Sequence, residues 1–307
     1  MSDAPDGTSD QVNESADALA SVTGTQRTSS NLVDLPIVTS DVELGFEEAL
    51  SVAGRRGARL IILMGETNTG KTTIITELWT YLNTQGGLSS HECAGSRTPM
   101  ALEERAFHSR VASGTSPPLT PRTPLGQEGL LHMRIARPDG QRVELLFGDF
   151  AGERFTHIKD GANLLDELPW APRADRILVV VDGERLATGS RELATNSAKR
   201  QLYALSSAEV SNPKMKLAVV VAKDDRLPDG EFDKSIARLD DLVALAQTMD
   251  ADASLIRVSA RPGNGADPWG LDQLLEWLCL AQPVDLGPAV STTIPKRAIG
   301  LFGRHRD

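Results

Sequence analysis

The chain has 307 residues, of which 40% are hydrophobic and 4% aromatic, so it is long enough for one large domain with a mostly aliphatic core. Its formal net charge of -10 argues against general nucleic-acid binding, which needs cations that neutralise phosphates. No apolar run has the roughly 18 residues of a membrane helix, and Cys93 and Cys279 show no metal-ligand spacing, so we expect reduced thiols in a cytoplasmic protein without a membrane span.

The two ends of the chain lack the patterns of folded elements. Residues 1–40 are rich in Ser, Thr, Asp, Gly and Asn, and we predict a disordered polar arm there. An apolar patch at 44–50 is predicted to pack on the domain that follows, which we place at 41–281. Residues 282–307 carry three prolines and a basic cluster. We interpret them as a solvated tail, with contact to an acidic partner or a membrane surface as the alternative.

Short apolar runs alternate with helical patterns along residues 58–281. This alternation predicts an α/β fold with right-handed crossovers and a mostly parallel sheet of about six strands. A hairpin at Leu130–Arg137 and Arg142–Phe147 predicts one antiparallel edge. The predicted buried strands are Leu60–Met64, Val143–Phe147, Ile177–Val181, Leu217–Ala222 and Leu255–Val258. The predicted helices are Thr72–Leu82, Pro99–Ser113, Arg191–Ser206, Phe232–Thr248 and Leu271–Leu280.

The segment GETNTGKT, residues 65–72, fits the phosphate-loop pattern G-x-x-x-x-G-K-[ST] between a predicted strand and a predicted helix. Converging backbone N–H groups need small residues beside the phosphate, and the helix points its positive end at the same anion. We expect Lys71 to reach the outer phosphates and the Thr72 hydroxyl to ligate Mg²⁺. The predicted nucleotide-binding residues here are Gly65, Glu66, Thr67, Asn68, Thr69, Gly70, Lys71, Thr72 and Thr73. Such loops serve ATPases, GTPases and small-molecule kinases alike.

Asp149 and Gly152, in VELLFGDFAGERF, form a D-x-x-G pattern after an apolar strand. An Asp at the end of a strand can hold Mg²⁺ through a water molecule, and a Gly three residues later can offer its N–H to a terminal phosphate. The flexibility of that Gly would let the following loop move when the phosphate leaves. Downstream of a phosphate loop, the pattern therefore predicts a segment that senses the terminal phosphate.

Residues 222–225, with the sequence AKDD, follow another buried strand and resemble the N-K-x-D motif of Ras-like and translation-factor GTPases. The resemblance implies that Lys223 lies along the base. It also implies that Asp225 accepts hydrogen bonds from the guanine ring N–H and amine, a donor pair that adenine does not present. Ala222 departs from the motif because it lacks the side-chain amide that would brace the site, which weakens the argument for tight guanine specificity.

A third segment, after the last predicted strand, resembles the S-A-K loop that lies behind the guanine ring in the same class of GTPases. It consists of Ser259, Ala260 and Arg261. The resemblance implies that the Ala260 N–H donates to the guanine carbonyl oxygen. The three segments occur in the order of the family, each after its own strand, and so they reinforce one another.

The stretch 83–129, between the first helix and the hairpin, is longer than in a minimal GTPase domain. A GTPase needs a Thr there that closes on Mg²⁺ and the terminal phosphate, and the segment SGTSPPLTPRTPLG offers Thr120 and Thr123 as candidates. Its prolines would stiffen an extended loop. Arg122 is a candidate cation for the transition state, although an ordinary surface arginine is the preferred interpretation.

Residues of about 58–281 resemble the bacterial TRAFAC-clade double-GTPase domain family, on the motifs above together with AGSRTP before and PPLTPRTP after the extra helix. The resemblance implies a P-loop NTPase with a Ras-like three-layer fold at 41–281, whose insertion at 83–129 contains switch I. It implies GTP or GDP and Mg²⁺ as ligands, and a protein partner for which a second GTPase is a candidate. A role in bacterial conflict or signalling is implied by the likeness alone.

Glu153 follows the D-x-x-G glycine, where Ras-like GTPases usually carry the Gln that orients the attacking water. A carboxylate can accept a proton from water but also repels the terminal phosphate, so we expect slow hydrolysis that awaits a group from a partner. Arg154 is interpreted as a residue that stabilises the loop. His157 is a candidate general base, with a histidine without chemical role as the preferred interpretation. The candidate catalytic residues are therefore Lys71, Thr120, Arg122 and Glu153.

Two other functions stay open on the sequence. A nucleotide-dependent binding module without turnover is compatible with Glu153, and an ATP-dependent P-loop enzyme or small-molecule kinase is compatible with Ala222. An arginine-rich lid segment of the kind that nucleotide kinases use is not found in the sequence. The leading hypothesis is a GTP-binding switch that hydrolyses GTP slowly with Mg²⁺.

Overall fold

In the computed structural model, the described residues are 43–45, 47–49, 52, 58–84, 87–108, 123, 125, 128–208, 210, 212, 214–263 and 266–280. The predicted arm at 1–40 and the basic tail at 282–307 lie outside them, as do Thr120, Arg122 and the last part of the predicted helix Pro99–Ser113. The domain boundaries at 41 and 281 stay predictions. In the part of the chain that is described, no helix combines the length and apolar character needed to cross a membrane.

Within the described residues, seven strands form one sheet in the order β2-β3-β4-β1-β5-β6-β7. Strands β1, β4, β5, β6 and β7 run parallel, whereas β3 pairs antiparallel with both β2 and β4. The bounds are β1 (Arg59–Met64), β2 (Glu92–Gly95), β3 (Leu130–Ala136), β4 (Arg142–Gly148), β5 (Arg176–Asp182), β6 (Lys216–Ala222) and β7 (Ser254–Val258). The predicted mostly parallel sheet with an antiparallel edge is confirmed. It exceeds the predicted count of about six because the short edge strand β2 carries no apolar run.

Residues 47–49 and 52 before β1 are helical. The α-helices that follow are α1 (Lys71–Thr84), α2 (Pro99–His108), α3 (Gly152–Lys159), α4 (Leu164–Glu167), α5 (Gly183–Ala187), α6 (Arg191–Ser207), α7 (Asp229–Gln247) and α8 (Leu271–Cys279). The five predicted helices correspond to α1, α2, α6, α7 and α8. Helices α3, α4 and α5 are too short for a periodic pattern, with eight residues in the longest. Helix α3 therefore occupies the place where a loop is expected after the D-x-x-G pattern.

The sheet is buried on both faces, which gives a three-layer arrangement. In β1, Ile61 and Leu63 belong to the core shared with α1, α2 and α8, whereas Ile62 and Met64 belong to the core shared with α3, α6 and α7. Each of these four side chains is at most 1% exposed. Full burial of one such side chain contributes about 1.5–3 kcal/mol, so both faces stabilise the fold. Two-sided burial also explains why the strands read as continuous apolar runs.

Strand β2 and helix α2 form an insertion between α1 and β3. Helix α2 packs on α1, where the Trp79 indole N–H donates to Glu103 Oε1 at 2.6 Å. The loop that joins β2 to α2 is fixed by His132 of β3. The His132 carbonyl accepts the Ser96 hydroxyl at 2.6 Å, and its Nδ1 accepts the Arg97 backbone N–H at 2.9 Å. Because Nδ1 accepts a hydrogen bond, the neutral ring carries its proton on Nε2.

A buried carboxylate of the sheet, that of Glu144, holds His132 in place. Glu144 of β4 accepts hydrogen bonds from His132 Nε2 at 2.6 Å and from Arg134 Nε at 2.7 Å. Burial raises the pKa of Glu144, but the hydrogen bonds from His132 and Arg134 outweigh burial and lower the pKa to about 2. The inserted loop is therefore held on the β3-β4 hairpin through a carboxylate that stays ionised at neutral pH.

A short segment before β1 covers the other side of the hairpin. Leu44 exchanges two backbone hydrogen bonds of 3.0 Å with Leu130, and together with Ala49 and Val52 it packs on Leu60 and Leu146. This confirms the predicted packing of the apolar patch near residue 44. The pairing also fixes the backbone beside Glu43, the residue before Leu44.

The carboxyl ends of the five parallel strands meet at one edge of the sheet. The residues that end or follow these strands are Gly65, Asp149, Asp182, Lys223 and Ser259. In an open sheet of this kind, ligands bind outside the carboxyl ends of the strands. The topology thus gathers motifs separated by nearly 200 positions in the sequence at a single edge.

Candidate functional site

The loop between β1 and α1 needs glycine at both ends, for different reasons. A Cβ on Gly65 would lie 2.7 Å from Thr69 Oγ1 and 3.1 Å from the carbonyl oxygen of Val180, so no side chain fits there. Gly70 has a φ of +98°, in the left-handed region that residues with a side chain rarely adopt. Asn68 has a φ of 66°, a value that Asn tolerates better than most residues. The backbone thus makes a tight turn between β1 and the start of α1 that only glycine permits at positions 65 and 70.

Lys71, the first residue of α1, folds back over this loop. Its Nζ donates to the carbonyl oxygens of Gly65 at 2.7 Å and Glu66 at 3.1 Å, and it lies 5.2 Å from the centre of the Phe155 ring. Burial lowers the pKa of Lys71 to about 8, although the nearby carboxylates of Asp149 and Glu153 oppose the shift. A desolvated cation of this kind is stabilised when an anion enters the loop.

The Asp149 carboxylate, which is 1% exposed, collects two threonine hydroxyls. Thr72 Oγ1 donates to Oδ1 at 2.9 Å, and Thr123 Oγ1 donates to Oδ2 at 2.8 Å. Because both hydroxyls donate their hydrogen bonds to the same carboxylate, their oxygen lone pairs stay available to a cation. Of the predicted metal ligands, the structure brings together Thr72, Thr123 and Asp149, while Thr120 lies outside the described residues.

Hydroxyl oxygens backed by a carboxylate fit the hard oxygen donors that Mg²⁺ requires. Among the described residues, no group of three or more His, Cys, Asp or Glu side chains is placed to hold a metal on its own. The protein would therefore supply only some of the oxygen ligands that Mg²⁺ takes, as is usual for this ion in proteins. The residues present fit that mode of binding.

A third donor to Asp149 is not anticipated by any sequence motif. Arg105 of α2 donates from Nε to Asp149 Oδ2 at 3.0 Å and also pairs with Glu43. Sequence patterns predict a helix around Arg105 but give no signal for its partner, which is 44 positions away. Only the packing of the inserted helix reveals this contact.

Gly152 begins α3 and touches the phosphate loop. The next residue, Glu153, is partly buried in the first turn of α3, and its carboxylate has no hydrogen-bond partner among the described residues. Arg154 points elsewhere: it donates from Nε at 2.5 Å and from Nη2 at 2.9 Å to the two carboxylate oxygens of Glu128. The structure thus gives Arg154 a bracing contact, as interpreted from the sequence.

The ring of His157, half-exposed, lies 3.0 Å from a carboxylate oxygen of Glu167 through Nδ1. Arg154 contacts the same residue, donating to its backbone carbonyl at 2.9 Å. These contacts join α3 to α4. The geometry therefore supports a structural role for His157 and gives no contact that would make it a general base.

Glu66 turns its side chain away from the centre of the phosphate loop. The carboxylate contacts Lys159 Nζ at 2.7 Å, Arg185 Nη1 at 2.7 Å and Ser197 Oγ at 2.8 Å. Burial raises the pKa of Glu66, but the hydrogen bonds from these groups outweigh it and leave the pKa lowered. Only the backbone of Glu66 therefore faces the nucleotide site, and its side chain ties the loop to α3, α5 and α6.

At the other end of the edge, the predicted base-reading residues meet. Asp225 Oδ1 accepts the Ser259 hydroxyl at 2.7 Å, and Oδ2 accepts the Gly263 N–H at 3.2 Å. Lys223 adopts a left-handed φ of 54° and donates from Nζ to Asp182 Oδ2 at 2.8 Å. Sequence reasoning did not assign Asp182 a role, and the only signal available for it was its position at the end of a buried strand.

Two residues of this region depart from the expected arrangement. The Arg261 side chain turns to α1, where its Nε donates to Glu77 Oε1 at 3.0 Å, while the neighbouring Ala260 is buried in the core. Ala222, which replaces the usual Asn, packs close to the phosphate loop: a Cβ on Gly70 would lie 3.5 Å from the Ala222 Cβ. Position 222 therefore joins the base-side and phosphate-side loops through a methyl group instead of an amide.

A second buried carboxylate, that of Asp224, is also held by side chains that follow it in the chain. Asp224 Oδ1 accepts from Arg257 Nε at 2.7 Å, and Oδ2 accepts from the Trp269 indole N–H at 2.9 Å. Trp269 in turn pairs with Ser259 through backbone hydrogen bonds of 3.0 and 3.1 Å. Both aspartates of the AKDD segment are therefore oriented by fixed partners, which preorganises the loop.

Comparison with solved structures gives chains that are similar over 72% of this chain. Bacterial selenocysteine-specific elongation factor EF-Sec is 15% identical, with a TM-score of 0.37 over 72% of this chain and 28% of its own. Elongation factor SelB from Methanococcus maripaludis, in complex with the GTP analogue GppNHp, is 14% identical, with a TM-score of 0.38 over 72% of this chain and 33% of its own. The chain thus spans a third or less of the length of these two factors.

A signal recognition particle receptor SRb-GTP/SRX complex from Chaetomium thermophilum is 14% identical, with a TM-score of 0.43 over 72% of this chain and 97% of the other. Among curated proteins, no sequence relative is found. At the level of families, the model described as Double-GTPase 2 matches residues 59–278, which is well over half of the 307 residues. The chain, with its phosphate loop and its base-side carboxylates at one sheet edge, belongs to the Double-GTPase 2 family.

Proposed function

We propose that this protein is a Mg²⁺-dependent GTP-binding switch with slow intrinsic hydrolysis. Family membership gives the coarser statement, a GTP-binding P-loop protein. The observation that carries the finer proposal is a meeting of three features at one sheet edge: the phosphate loop, the Asp149 carboxylate with its two hydroxyls, and the Asp225 carboxylate. The distance between sites for phosphate, metal and base is then set by the fold itself.

Phosphate binding would use the backbone N–H groups of residues 65–70 and the Lys71 ammonium. In the structure Lys71 is bonded to two loop carbonyls, which are neutral partners for a buried cation. A phosphate oxygen offers a full counter-charge, so binding would restore the Lys71 pKa and exchange weaker hydrogen bonds for charge-assisted ones. The start of α1 adds its own N–H donors and the positive end of its dipole.

Thr72 and Thr123 would hold Mg²⁺ through their hydroxyl oxygens, with Asp149 orienting both hydroxyls from behind. Bound Mg²⁺ supplies neutralisation of the β- and γ-phosphate charge. We favour Thr123 over Thr120 as the switch threonine because the Thr123 hydroxyl already lies on Asp149. Arg122 precedes it directly, so its proposed role as a transition-state cation depends on the conformation of that loop.

The base would be read by Asp225, with Lys223 along its plane and the Ala260 N–H on the guanine carbonyl oxygen. Ser259 donates to Oδ1 of Asp225, whereas Gly263 and Arg226 both contact Oδ2 at 3.2 Å. Oδ1 keeps a lone-pair site for one guanine donor, and the second donor would displace the exposed Arg226 side chain from Oδ2. Adenine offers no such donor pair, so the buried acceptors would be left unsatisfied. Side-chain contact of Arg261 with the base is not part of the proposal, because Arg261 binds Glu77.

Slow hydrolysis is proposed from Glu153. Its carboxylate stands in the first turn of α3, close enough to Lys71 to raise the Lys71 pKa, and therefore near the incoming phosphates. A negative charge there repels the terminal phosphate, so a partner that neutralises it would accelerate the reaction. We propose a second GTPase as this partner, and a role in a bacterial conflict or signalling system. Because Cys93 and Cys279 are free thiols, we also propose that the protein is cytoplasmic.

The test is mass spectrometry of the nucleotide that co-purifies with the protein, followed by competition of GTP and ATP for the emptied site. GDP or GTP in the purified protein and at least a tenfold preference for GTP would support the proposal. ATP or ADP in its place, with at least a tenfold preference for ATP, would instead support the ATP-dependent enzyme. A tenfold preference corresponds to about 1.4 kcal/mol.

The binding module without turnover is the second candidate, and Glu153 is the observation that favours it. Phosphate release in the presence of Mg²⁺ separates it from the switch. Release that is slow but abolished by Lys71→Ala supports hydrolysis by this site. Nucleotide binding with no release, from either the native protein or Glu153→Gln, supports the binding module.

A further inference from the structure

Arg105 reaches the edge of the candidate site from the inserted helix α2 and is held on three sides. Nε donates to Asp149 Oδ2 at 3.0 Å, Nη1 donates to the Ala101 carbonyl at 3.2 Å, and Nη2 pairs with Glu43. The Arg105 side chain is 17% exposed. Its guanidinium is therefore fixed by three acceptors from three different parts of the fold.

The Asp149 carboxylate needs a counter-charge because it is almost fully buried. Burial of an ionised carboxylate without a cation is unfavourable, and the hydroxyls of Thr72 and Thr123 are neutral donors that offset only part of that cost. Arg105 is the cation in direct contact with Asp149 in the described residues. Arg105 thus supplies Asp149 with the kind of counter-charge that a divalent cation would supply in a nucleotide complex.

We propose that Arg105 competes with Mg²⁺ for Asp149, so that the Arg105–Asp149 pair and metal binding at Thr72 and Thr123 oppose each other. The inference rests on the proposed function, since it concerns the same metal site. Arg105 touches neither nucleotide nor metal in this proposal: it is a positioning residue that acts through Asp149. Its fixed positive charge lowers the affinity of the neighbouring hydroxyls for a second cation.

Glu43, the second carboxylate that pairs with Arg105, favours Mg²⁺ binding, the opposite of the effect of Arg105. It shares the Arg105 guanidinium with Asp149 and partly cancels its charge. The backbone at Glu43 is fixed because the next residue, Leu44, pairs with Leu130. Removal of the Glu43 charge leaves Asp149 as the single carboxylate partner of Arg105 among the described residues. Arg105 then competes more strongly with Mg²⁺ for the charge of Asp149. The inserted helix and the segment before β1 are in this way both coupled to the metal site.

The coupling is reciprocal, because the Arg105–Asp149 pair and Mg²⁺ both depend on the charge of Asp149: if the pair weakens Mg²⁺ binding, bound Mg²⁺ weakens the pair by the same factor. Mg²⁺ at the threonine hydroxyls weakens the Arg105–Asp149 pair, and the guanidinium then relies on Glu43 and on Ala101 within α2. Helix α2 loses one of its side-chain anchors to the sheet edge at that moment. The metal-bound protein should therefore show a less protected α2 than the metal-free nucleotide complex.

The decisive measurement is the Mg²⁺ concentration dependence of guanine-nucleotide release, followed with a fluorescent GDP analogue in the full-length protein. We expect the apparent Mg²⁺ dissociation constant to fall about three- to tenfold in Arg105→Met and to rise about two- to threefold in Glu43→Gln. Arg105→Lys, which keeps the charge, should stay within about twofold of the native value. The matched control is Glu104→Gln, an exposed neighbour on α2, which should change nothing.

A purely structural brace predicts the opposite sign for the first variant. If Arg105 only orients Asp149, then Arg105→Met loosens the carboxylate and weakens Mg²⁺ binding, and that result overturns the inference, as does an unchanged constant. Should Arg105→Met fail to fold, Glu43→Gln decides, since it retains Arg105: a tighter or unchanged constant in Glu43→Gln also overturns the inference.

Hydrogen exchange of α2 provides a readout that does not depend on release kinetics. With a non-hydrolysable GTP analogue bound, we expect faster exchange in 99–108 with Mg²⁺ than with EDTA, and no such difference in Arg105→Met. Equal exchange in both conditions for the native protein would contradict the coupling. If the native protein binds no guanine nucleotide, the proposed function fails and the inference with it, whereas binding with unshifted Mg²⁺ curves refutes the inference alone.

Discussion

Gly152 of α3 lies directly against Thr67 of the phosphate loop: a Cβ on Gly152 would stand 2.4 Å from the Thr67 nitrogen and 2.5 Å from its Cα. These are backbone atoms, so a side chain at position 152 cannot be accommodated by a rotamer change. A second contact, between Lys159 and Glu66, ties the other end of α3 to the same loop. Both ends of α3 are therefore coupled to the loop, and a displacement of the loop would be transmitted to the helix.

Gly152→Ala tests the tight contact. Overpacking against a backbone that cannot move away should destabilise the protein by about 1–3 kcal/mol and weaken nucleotide binding, because α3 and the loop must separate. Urea unfolding and nucleotide affinity give the two readouts. Gly230→Ala in α7 is the matched control: a Cβ there meets open space, so its stability should be equal to or above that of the native protein. Equal stability of both variants would contradict the contact.

Lys71→Met should abolish nucleotide binding and yet stabilise the nucleotide-free protein. Burial lowers the pKa of Lys71 from 10.5 to about 8, so at neutral pH the folded state retains a charge that the unfolded state solvates better. Between about pH 8 and pH 10.5 the unfolded chain binds more protons, and the native protein gains stability with rising pH relative to the variant. The Tm advantage of Lys71→Met should therefore shrink between pH 7 and pH 10. A difference in Tm between Lys71→Met and the native protein that stays constant across that range would refute the lowered pKa of Lys71.

Glu144→Gln examines the buried cluster that anchors the inserted loop. The native carboxylate has a pKa of about 2, held low by His132 and Arg134, so its stabilisation is present above the ordinary pKa of about 4.5 and is lost as pH falls towards 2. At pH 7 the variant should lose about 3 kcal/mol in unfolding free energy. The difference in unfolding free energy between Glu144→Gln and the native protein should become smaller between pH 4.5 and pH 2, as measured by denaturation curves. A difference that grows on acidification would contradict the stabilising role of the Glu144 carboxylate.

Asp225→Asn tests the reading of the base. An amide presents donors where the carboxylate presents acceptors, so the variant should lose at least about tenfold in GTP affinity and bind xanthosine triphosphate better than the native protein, because xanthine carries a carbonyl where guanine carries an amine. Competitive titration measures both. Asp229→Asn, whose side chain is 98% exposed, serves as the control and should bind GTP like the native protein. Unchanged GTP affinity in Asp225→Asn would remove Asp225 from the site.

Glu153→Gln addresses turnover. Replacing the carboxylate by an amide removes the repulsion of the terminal phosphate and offers a group that can orient water, so we expect phosphate release to rise about tenfold or more under single-turnover conditions. The Lys71 pKa should also fall slightly, since Glu153 helps to raise it. Glu192→Gln, an exposed residue in the first turn of α6, should leave the rate unchanged. A rate lower than native would make Glu153 an active participant instead of a brake.

The fold and most of the site could be predicted because their determinants are local in sequence. Continuous apolar runs such as Ile61–Met64 mark strands buried on both faces, and glycines at positions 65 and 70 mark a loop whose backbone needs room. Spacing alone also placed Asp149 and Asp225 after strands whose carboxyl ends must meet. Short elements without periodicity, such as β2 and α3, were not predictable in this way.

Packing in three dimensions sets which side chains meet across long stretches of sequence. No local pattern distinguishes Arg105 from any other helix arginine, or Asp182 from any residue at a strand end, yet the first lies on Asp149 and the second holds Lys223. The side chains of Glu66 and Arg261 likewise turn away from the site that their motif positions suggest. The sequence determined the backbone cradle through periodicity and glycine, whereas the charges around it were decided by packing, because an ion pair depends on distance in space and leaves no period in the chain.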